Sequence, residues 1–221
     1  MQRCLEAGDA LTGVSVLYTQ LKMDSGPVLR QVQYPLQGHE QAPELLNTLF
    51  ELGTEALIAV LPEVWAGSAQ QSAQVQDEEQ ATEAPKLAVS EAQCCFARES
   101  AAQVHNKVRA FAIWPGTWAY FTWGDSKLQT SSSSTTAADG DAAAPKGTKL
   151  KLIRTEVGLS EPGVTEQQGS TVSLRNGALE IRCRDGSMLR VLTVQPEGKK
   201  PMDAKSFVNG LRGSTLSWVD A

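Results

Sequence analysis

Two dipeptides in the C-terminal half of the chain, Asn176-Gly177 and Asp185-Gly186, constrain its fold more than any other feature. Both are typical of tight hairpin turns, because their residues tolerate a left-handed backbone. Each lies between short segments in which apolar and polar residues alternate. Five such segments are predicted as strands, at 118–123, 149–157, 171–174, 179–184 and 188–194. Short strands at this spacing indicate a small antiparallel barrel.

The N-terminal half begins differently, with a helix end at residues 1–7 and then a strand–turn–strand pattern. Val14, Val16 and Tyr18 alternate with other residues, and turn residues follow at 23–27. Open α/β sheets hold ligands on the loops at strand ends. Asp24, the only acid in residues 13–28, is therefore a candidate catalytic residue. Asp is also a common turn residue, so a purely structural role stays open.

The rest of the chain divides by composition. Residues 42–66 have apolar side chains at three- and four-residue spacing and predict a long core helix. Residues 67–85 have no apolar periodicity and predict a linker. Residues 86–221 would form the barrel domain, interrupted by a low-complexity insertion at 129–147 that cannot contribute to a core.

Charge is distributed unevenly between the two halves. Residues 1–85 carry three basic and twelve acidic side chains, whereas residues 86–221 carry seventeen and thirteen. A basic second half favours a polyanionic partner, and the oligonucleotide-binding (OB) type is the commonest small barrel that binds nucleic acid. A net charge of +4 over 136 residues also fits an ordinary solvated surface, so both interpretations stay open.

Several classes of protein are disfavoured by the sequence. No apolar run approaches the ~18 residues that a membrane span needs, and no signal peptide is recognisable. Four cysteines without a C-x-x-C pair and two histidines predict no metal site. The thiols are predicted to be reduced and structural.

Three motifs, in order, resemble the methionyl-tRNA formyltransferase family. Gly8-Asp9, Thr12-Gly13-Val14 and Met23-Asp24-Ser25-Gly26 are similar to its GD-x-x-TGV strand and (L/M)D-(T/S)-G loop. Residues 109–118, RAFAIWPGTW, resemble RAF-NP-WPG-x-W, with Ala112-Ile113 in place of Asn-Pro. Residues 192–202, LTVQPEGKKPM, resemble L-x-x-QPAGKKPM. The strand and Asp loop also occur in other tetrahydrofolate-dependent enzymes.

The resemblance implies a fold and a reaction. Residues 1–66 would be the end of a Rossmann-like formyltransferase catalytic domain, an α/β fragment whose N-terminal portion is missing, followed by an OB-like antiparallel barrel. The reaction would transfer a formyl group from 10-formyltetrahydrofolate to the amino group of methionyl-initiator-tRNA, with no metal. Asp24 would be catalytic, and Met23, Asp24, Ser25 and Gly26 would contact the folate. The family's Asn-x-His segment is absent from these residues, so the chain alone is expected to be inactive.

The resemblance also implies a tRNA-binding surface. Basic residues in or near the two C-terminal motifs are its candidates: Lys107, Arg109, Lys199, Lys200, Lys205 and Arg212. Large aromatics around residues 111–118 are expected to pack one end of the barrel. Individually, each of these cations also fits a plain surface charge.

Two alternatives of other kinds remain open from the sequence. The chain could belong to another 10-formyltetrahydrofolate enzyme, such as a hydrolase or a dehydrogenase domain. It could also be a tRNA-binding module without catalysis, because the tRNA-facing half is the more complete one. We expect a monomer with no membrane association. Formylated initiation would place the chain in a bacterium, a mitochondrion or a plastid, and the Ser/Thr/Ala-rich insertion favours an organelle over bacterial cytoplasm.

Overall fold

The computed structural model describes residues 1–124, 147–158 and 169–219. The predicted insertion at 129–147 therefore lies, except for Gly147, outside the described residues. The chain divides into two compact units, Met1–Lys86 and Leu87–Ala221.

The first unit is a two-stranded antiparallel sheet covered by a long helix. Helix α1 ends at Gly8, whose left-handed backbone (φ 77°) lets its N–H bond the Cys4 carbonyl. Val14 pairs with Val32 at the centre of the hairpin. The elements are α1 (Gln2–Ala7), β1 (Leu11–Leu17), β2 (Val28–Pro35), α2 (Ala42–Trp65) and α3 (Ala69–Ser72). The predicted strands and long helix are confirmed within a few residues.

Helix α2 buries only part of its apolar stripe, although the sequence predicts the whole stripe as core. Its buried side chains are Ala42, Leu45, Leu49, Ala56 and Val60. Other large apolar side chains of the helix are exposed: Leu46, Phe50, Leu57, Ile58 and Trp65. The prediction is wrong for Leu46, Phe50 and Leu57 because, among the described residues of this unit, two strands cover too little of the helix. By length and apolar composition alone, α2 could also cross a membrane, a test that core helices of soluble proteins pass as well.

The sheet of the first unit has one free edge. β2 continues into a bridge between Val28 and Gln74, but no described residue pairs with the outer side of β1. Both strands are antiparallel, and the described part of this unit contains no parallel pair. The Rossmann-like assignment of residues 1–66 is therefore not supported by this architecture.

The predicted linker, residues 67–85, lies within the first unit. It contains α3, the bridge to Val28 and a short 3₁₀ turn at Glu78–Gln80. The Arg3 side chain donates hydrogen bonds to the carbonyls of Pro85 (3.0 Å) and Lys86 (3.1 Å). These contacts attach the end of the segment to α1.

The second unit is a barrel with two helices. Ser100 and Asp203 cap these helices, accepting hydrogen bonds from the backbone N–H groups of Gln103 (3.2 Å) and Ser206 (2.8 Å). The elements are α4 (Ala101–Ala110), β3 (Trp118–Trp123), β4 (Thr148–Gly158), β5 (Thr171–Arg175), β6 (Ala178–Arg182), β7 (Met188–Pro196), β8 (Met202–Asp203), α5 (Ala204–Gly210) and β9 (Leu216–Val219).

The barrel is closed by six strands, not the five that the sequence predicts. The strand order is β4-β3-β9-β5-β6-β7, and β4 pairs with β7 to complete the circle. The strand that the sequence does not predict is β9, which pairs with β3 on one side and β5 on the other. Four residues without a hairpin dipeptide carry little strand signal, since tertiary pairing decides their structure.

Aromatic rings fill the barrel. Phe96 packs against Phe121 and Trp218, with ring centroids 6.0 and 5.7 Å away. Phe111 is fully buried, as the sequence predicts, but Trp114 is 51% exposed and does not pack the barrel end. The thiols of Cys94 and Cys183 are free and buried, and burial raises the pKa of Cys183 to about 12.

The buried ring of Phe121 gives a direct test of the barrel core. We expect Phe121→Ala to cost about 3–5 kcal/mol of unfolding free energy, because the cavity cannot refill. Thr122→Ala, on the opposite face of β3, should cost under about 1 kcal/mol. Urea unfolding followed by tryptophan fluorescence reports mainly on this unit, which holds four of the five tryptophans. Equal losses in the two variants would contradict the inward placement of Phe121.

Glu40 gives a test of the first unit through pH. The buried Glu40 carboxylate accepts backbone N–H bonds from Gln37 (2.6 Å), Gly38 (3.0 Å) and His39 (3.1 Å). Burial alone would raise its pKa, but these hydrogen bonds outweigh burial and hold the pKa below its usual value. A lowered pKa stabilises the fold at neutral pH, and this stabilisation is lost as pH falls through the folded-state pKa.

We therefore expect Glu40→Gln to destabilise the first unit at pH 7 and to differ progressively less from the wild type as the pH falls toward 3. Urea unfolding followed by circular dichroism at 222 nm measures the stability of the first unit, since this unit contains α2, the longest described helix. The same deficit at pH 3 and pH 7 would exclude the charge of Glu40 as the cause.

Candidate functional site

The loop between β1 and β2 presents Asp24 to solvent. Asp24 has a left-handed backbone (φ 57°), which is uncommon for a residue with a side chain. The loop is closed at its base by a hydrogen bond from the Tyr18 N–H to the Pro27 carbonyl, 3.1 Å. Ser25 Oγ donates to the Lys22 carbonyl at 2.9 Å. The Asp24 side chain is exposed and bonds to no residue that the structure describes, so its carboxylate is available to a substrate.

Gly26 is required by the tight packing of this loop. A Cβ atom at this position would lie 1.6 Å from the Tyr18 carbonyl oxygen. The buried glycine therefore lets the returning strand pass close to the end of β1.

Two large apolar side chains of the loop are left in water. Leu21 and Met23 flank Lys22 and are almost completely exposed. The loop therefore offers an exposed carboxylate with two exposed apolar side chains close to it in sequence. The structure thus brings Met23, Asp24, Ser25 and Gly26 together in one loop.

A second candidate surface lies on the outside of the barrel. On β3, Trp118 and Tyr120 pair with Lys151 and Lys149 of β4, respectively. The two rings meet edge to face with centroids 5.3 Å apart. Lys149 Nζ lies 4.1 Å from the centre of the Trp118 ring, a cation–π contact. Lys151 in turn lies opposite Gln195 of β7. We call Trp118, Tyr120, Lys149, Lys151 and Gln195 the basic-aromatic face.

A cleft of about 230 Å³ adjoins the basic-aromatic face. Its walls come from two strands and the turn after β7: Lys149, Lys151, Gln195, Pro196, Glu197 and Gly198. Lysines beside aromatic rings suit a phosphate backbone with unstacked bases. Sequence reasoning missed this face, although its signal was present as two pairs at i and i+2, Trp118/Tyr120 and Lys149/Lys151.

Four of the predicted basic residues are exposed around the following turn and helix: Lys199, Lys200, Lys205 and Arg212. The turn is held by the Lys199 N–H, which bonds the Pro196 carbonyl at 3.1 Å. The Gln195 side chain also donates to the Lys199 carbonyl at 2.9 Å. Lys199 therefore follows directly on the cleft, whereas Lys205 lies on α5.

The other two predicted cations have structural contacts. Lys107 Nζ pairs with Glu99 at 2.5 Å and donates to the Gln93 carbonyl. Arg109 is only 4% exposed, and its guanidinium donates to Asn106 at 2.7 Å. Both side chains are directed to neighbouring protein groups, so they fit a polyanion surface poorly.

No metal-binding group stands out. Within the described ranges, no three His, Cys, Asp or Glu side chains cluster closely enough to hold an ion.

The closed antiparallel barrel of the second unit belongs to a recognised class of domain. Residues 86–212 match the family described as formyl transferase, C-terminal domain, and the chain belongs to that family. The match spans the basic-aromatic face, the 196–199 turn and helix α5. It begins at the boundary between the two structural units.

Solved structures with the same fold include formyltransferases. HypX from Aquifex aeolicus, in complex with tetrahydrofolic acid, has a TM-score of 0.62 at 16% identity, covering 96% of this chain and 32% of that chain. The N-formyltransferase from Helicobacter canadensis, in complex with folinic acid and dTDP-3-aminofucose, has a TM-score of 0.57 at 13% identity, covering 87% and 58%. This chain thus spans about a third of HypX.

The glycine in the Asp24 loop gives a test of its geometry. We expect Gly26→Ala to destabilise the first unit by at least ~2 kcal/mol, because a methyl group cannot fit beside the Tyr18 carbonyl without moving backbone. Gly53→Ala is the matched control. Its Cβ would lie 3.9 Å from Val14, and it should stabilise α2 by up to ~1 kcal/mol. Urea unfolding followed by circular dichroism measures the free energy of unfolding of both variants. A Gly26→Ala variant as stable as the wild type would refute this packing.

Proposed function

We propose that this chain takes part in formyl transfer from 10-formyltetrahydrofolate to the amino group of methionyl-initiator-tRNA. Membership of the formyl transferase C-terminal domain family supports the reaction class. The acceptor is supported by one observation, the basic-aromatic face of the barrel with exposed lysines beside it. A long polyanion can contact the whole of such a face with its phosphates and bases, whereas a small acceptor can contact only a part of it.

Two structures of similar fold support the proposed donor. HypX was solved with tetrahydrofolic acid, and the Helicobacter canadensis enzyme with folinic acid. In the proposed reaction, the amine nitrogen attacks the formyl carbon and a tetrahedral oxyanion forms. The bond from that carbon to N10 of the folate then breaks. The amine gives up a proton and N10 of tetrahydrofolate gains one, so atoms and charges balance.

Asp24 is the proposed acid–base group of this step. Its exposed carboxylate can accept the proton of the attacking amine or orient that amine through a hydrogen bond. Met23, Ser25 and Gly26 would border the folate. The oxyanion needs hydrogen-bond donors in addition, and the resemblance assigns that work to an Asn-x-His segment that these 221 residues do not contain. We therefore propose that this chain alone does not catalyse transfer.

The proposed tRNA surface combines the basic-aromatic face with Lys199, Lys200, Lys205 and Arg212. Lys107 and Arg109 are left out of it because their side chains are bonded to Glu99 and Asn106. Each lysine that contacts a phosphate releases a counterion, so affinity should fall steeply with salt.

A titration with initiator methionyl-tRNA tests this surface. We expect Lys149→Glu with Lys151→Glu, and separately Lys199→Glu with Lys200→Glu, to weaken binding at least tenfold. Each pair should lower the slope of log affinity against log salt by about two, because two phosphate contacts are lost. The measurement is fluorescence anisotropy of labelled tRNA between low and moderate salt.

The control is Arg98→Glu with Arg175→Glu, which makes the same change in charge. Arg175 lies on β5, and the Arg98 carbonyl faces Arg184 just past β6, so both belong to the far half of the barrel. Equal weakening in the control would indicate non-specific attraction. Tight binding of a dTDP-amino sugar with no tRNA binding would favour a sugar acceptor, as in the Helicobacter canadensis enzyme.

Catalysis itself needs a longer polypeptide. The N-terminal part of a bacterial methionyl-tRNA formyltransferase, ending before the helix that precedes its GD-x-x-TGV strand, can be fused ahead of residue 2, so that α1 is present once. We expect formyl transfer by this fusion and its loss in the Asp24→Asn variant. A fusion that binds tRNA and folate but is unaffected by Asp24→Asn would remove Asp24 from the mechanism.

A further inference from the structure

One side chain outside the Asp24 loop bonds directly to its backbone. The amide nitrogen of Gln76 donates to the carbonyl of Asp24 at 2.8 Å and to the carbonyl of Gly26 at 2.7 Å. Because both partners are carbonyl oxygens, only the NH₂ end of the amide can face them. A single group thus uses both of its protons to hold the peptide bond that follows Asp24 and the one that follows Gly26.

Two residues close to Gln76 also contact the loop, one near each of its ends. Gln74 exchanges two backbone hydrogen bonds with Val28, at 2.7 and 2.8 Å. Glu78 forms an ion pair with Lys22 at 2.6 Å. Gln74 makes its contact through the backbone, whereas Gln76 and Glu78 contact the loop through their side chains. We call residues 74–78 the clasp.

Gln76 is the member of the clasp that acts on Asp24. The ion pair of Lys22 with Glu78 has both side chains about two thirds exposed, and exposed pairs contribute little. The bridge at Gln74 fixes Val28, which already belongs to β2. Leu21 and Met23 are exposed and give the loop no apolar anchor. Of the clasp residues, Gln76 is therefore the one that bonds the backbone of Asp24 directly, in addition to the contacts within the loop itself.

We propose that Gln76 is a positioning residue, which holds the backbone of Asp24 so that its carboxylate points consistently at the reacting amine. This proposal rests on the proposed function for its chemistry. The residue belongs to the stretch that the sequence predicts as a featureless linker. A polar residue there, bonded back to the loop, couples that stretch to the candidate site.

Proteolysis of the full chain tests the clasp without any assay of activity. Endoproteinase Asp-N cuts before Asp24, and where the loop opens and closes faster than the protease cuts, the cleavage rate follows the fraction of open loop. The initial rate of this cut is measured, because the protease also cuts before Asp77, next to Gln76. We expect Gln76→Met, which keeps the length but loses the donors, to speed cleavage of the Met23–Asp24 bond about tenfold. Gln76→Lys, which restores a donor, should return the rate to within about threefold of the wild type.

Two references make this result interpretable. Gln71→Met changes another exposed amide of the same segment and should leave the cleavage rate unchanged. Cleavage before Asp203, in the other unit, should be equal in all variants. A Gln76→Met rate within twofold of the wild type would overturn the proposal. So would a Gln76→Lys rate as fast as that of Gln76→Met, because then the donors would not matter.

Activity separates this inference from the proposed function. In the fusion described above, Gln76→Met should lower kcat about tenfold and leave the KM for methionyl-tRNA unchanged, since the tRNA surface is untouched. An unchanged kcat would overturn positioning of Asp24 even if the loop opens faster. A wild-type fusion that never transfers formyl would refute the proposed function, and the proteolysis result would still decide whether Gln76 holds the loop.

Discussion

The pairing of β4 with β7 is the constraint on which the second unit depends. Without it the six strands would form an open sheet with two long exposed edges, which favour aggregation. Because β4 pairs with β7, every strand of the barrel has two neighbouring strands, and the side chains that point inward form one core. The same pairing places Lys151 opposite Gln195. Closure therefore builds the basic-aromatic face as well as the core.

The two candidate sites differ in what holds them. The basic-aromatic face lies on paired strands, so its geometry is fixed by ladder hydrogen bonds and register. The Asp24 loop lies on a hairpin with little apolar burial, and its shape depends on Gly26 and a few polar contacts. The geometry of the face therefore tolerates the loss of one side chain, whereas the loop can change its conformation when a single polar contact is lost.

Local sequence signals predicted much of this architecture, and long-range contacts account for what they missed. Asn176-Gly177 forms its hairpin with positive φ at both residues, because turn chemistry is local. Strand β9 was missed because its structure comes from two distant partners. Arg109 was predicted on a binding surface, yet it is buried against Asn106, since helix periodicity alone does not say which face a barrel covers. Lys149 and Lys151 are recognised as part of a candidate site only in the structure, where their strand pairs with β3 on one side and β7 on the other.

The exposed apolar face of α2 has a consequence for the stability of the first unit. Phe50, Leu57 and Ile58 stay in contact with water, so the described part of the unit does not gain the free energy that burying them would contribute. Its core rests on a smaller set of buried side chains in α2: Ala42, Leu45, Leu49, Ala56 and Val60. With so few buried groups, the loss of any one of them removes a large share of the total hydrophobic stabilisation.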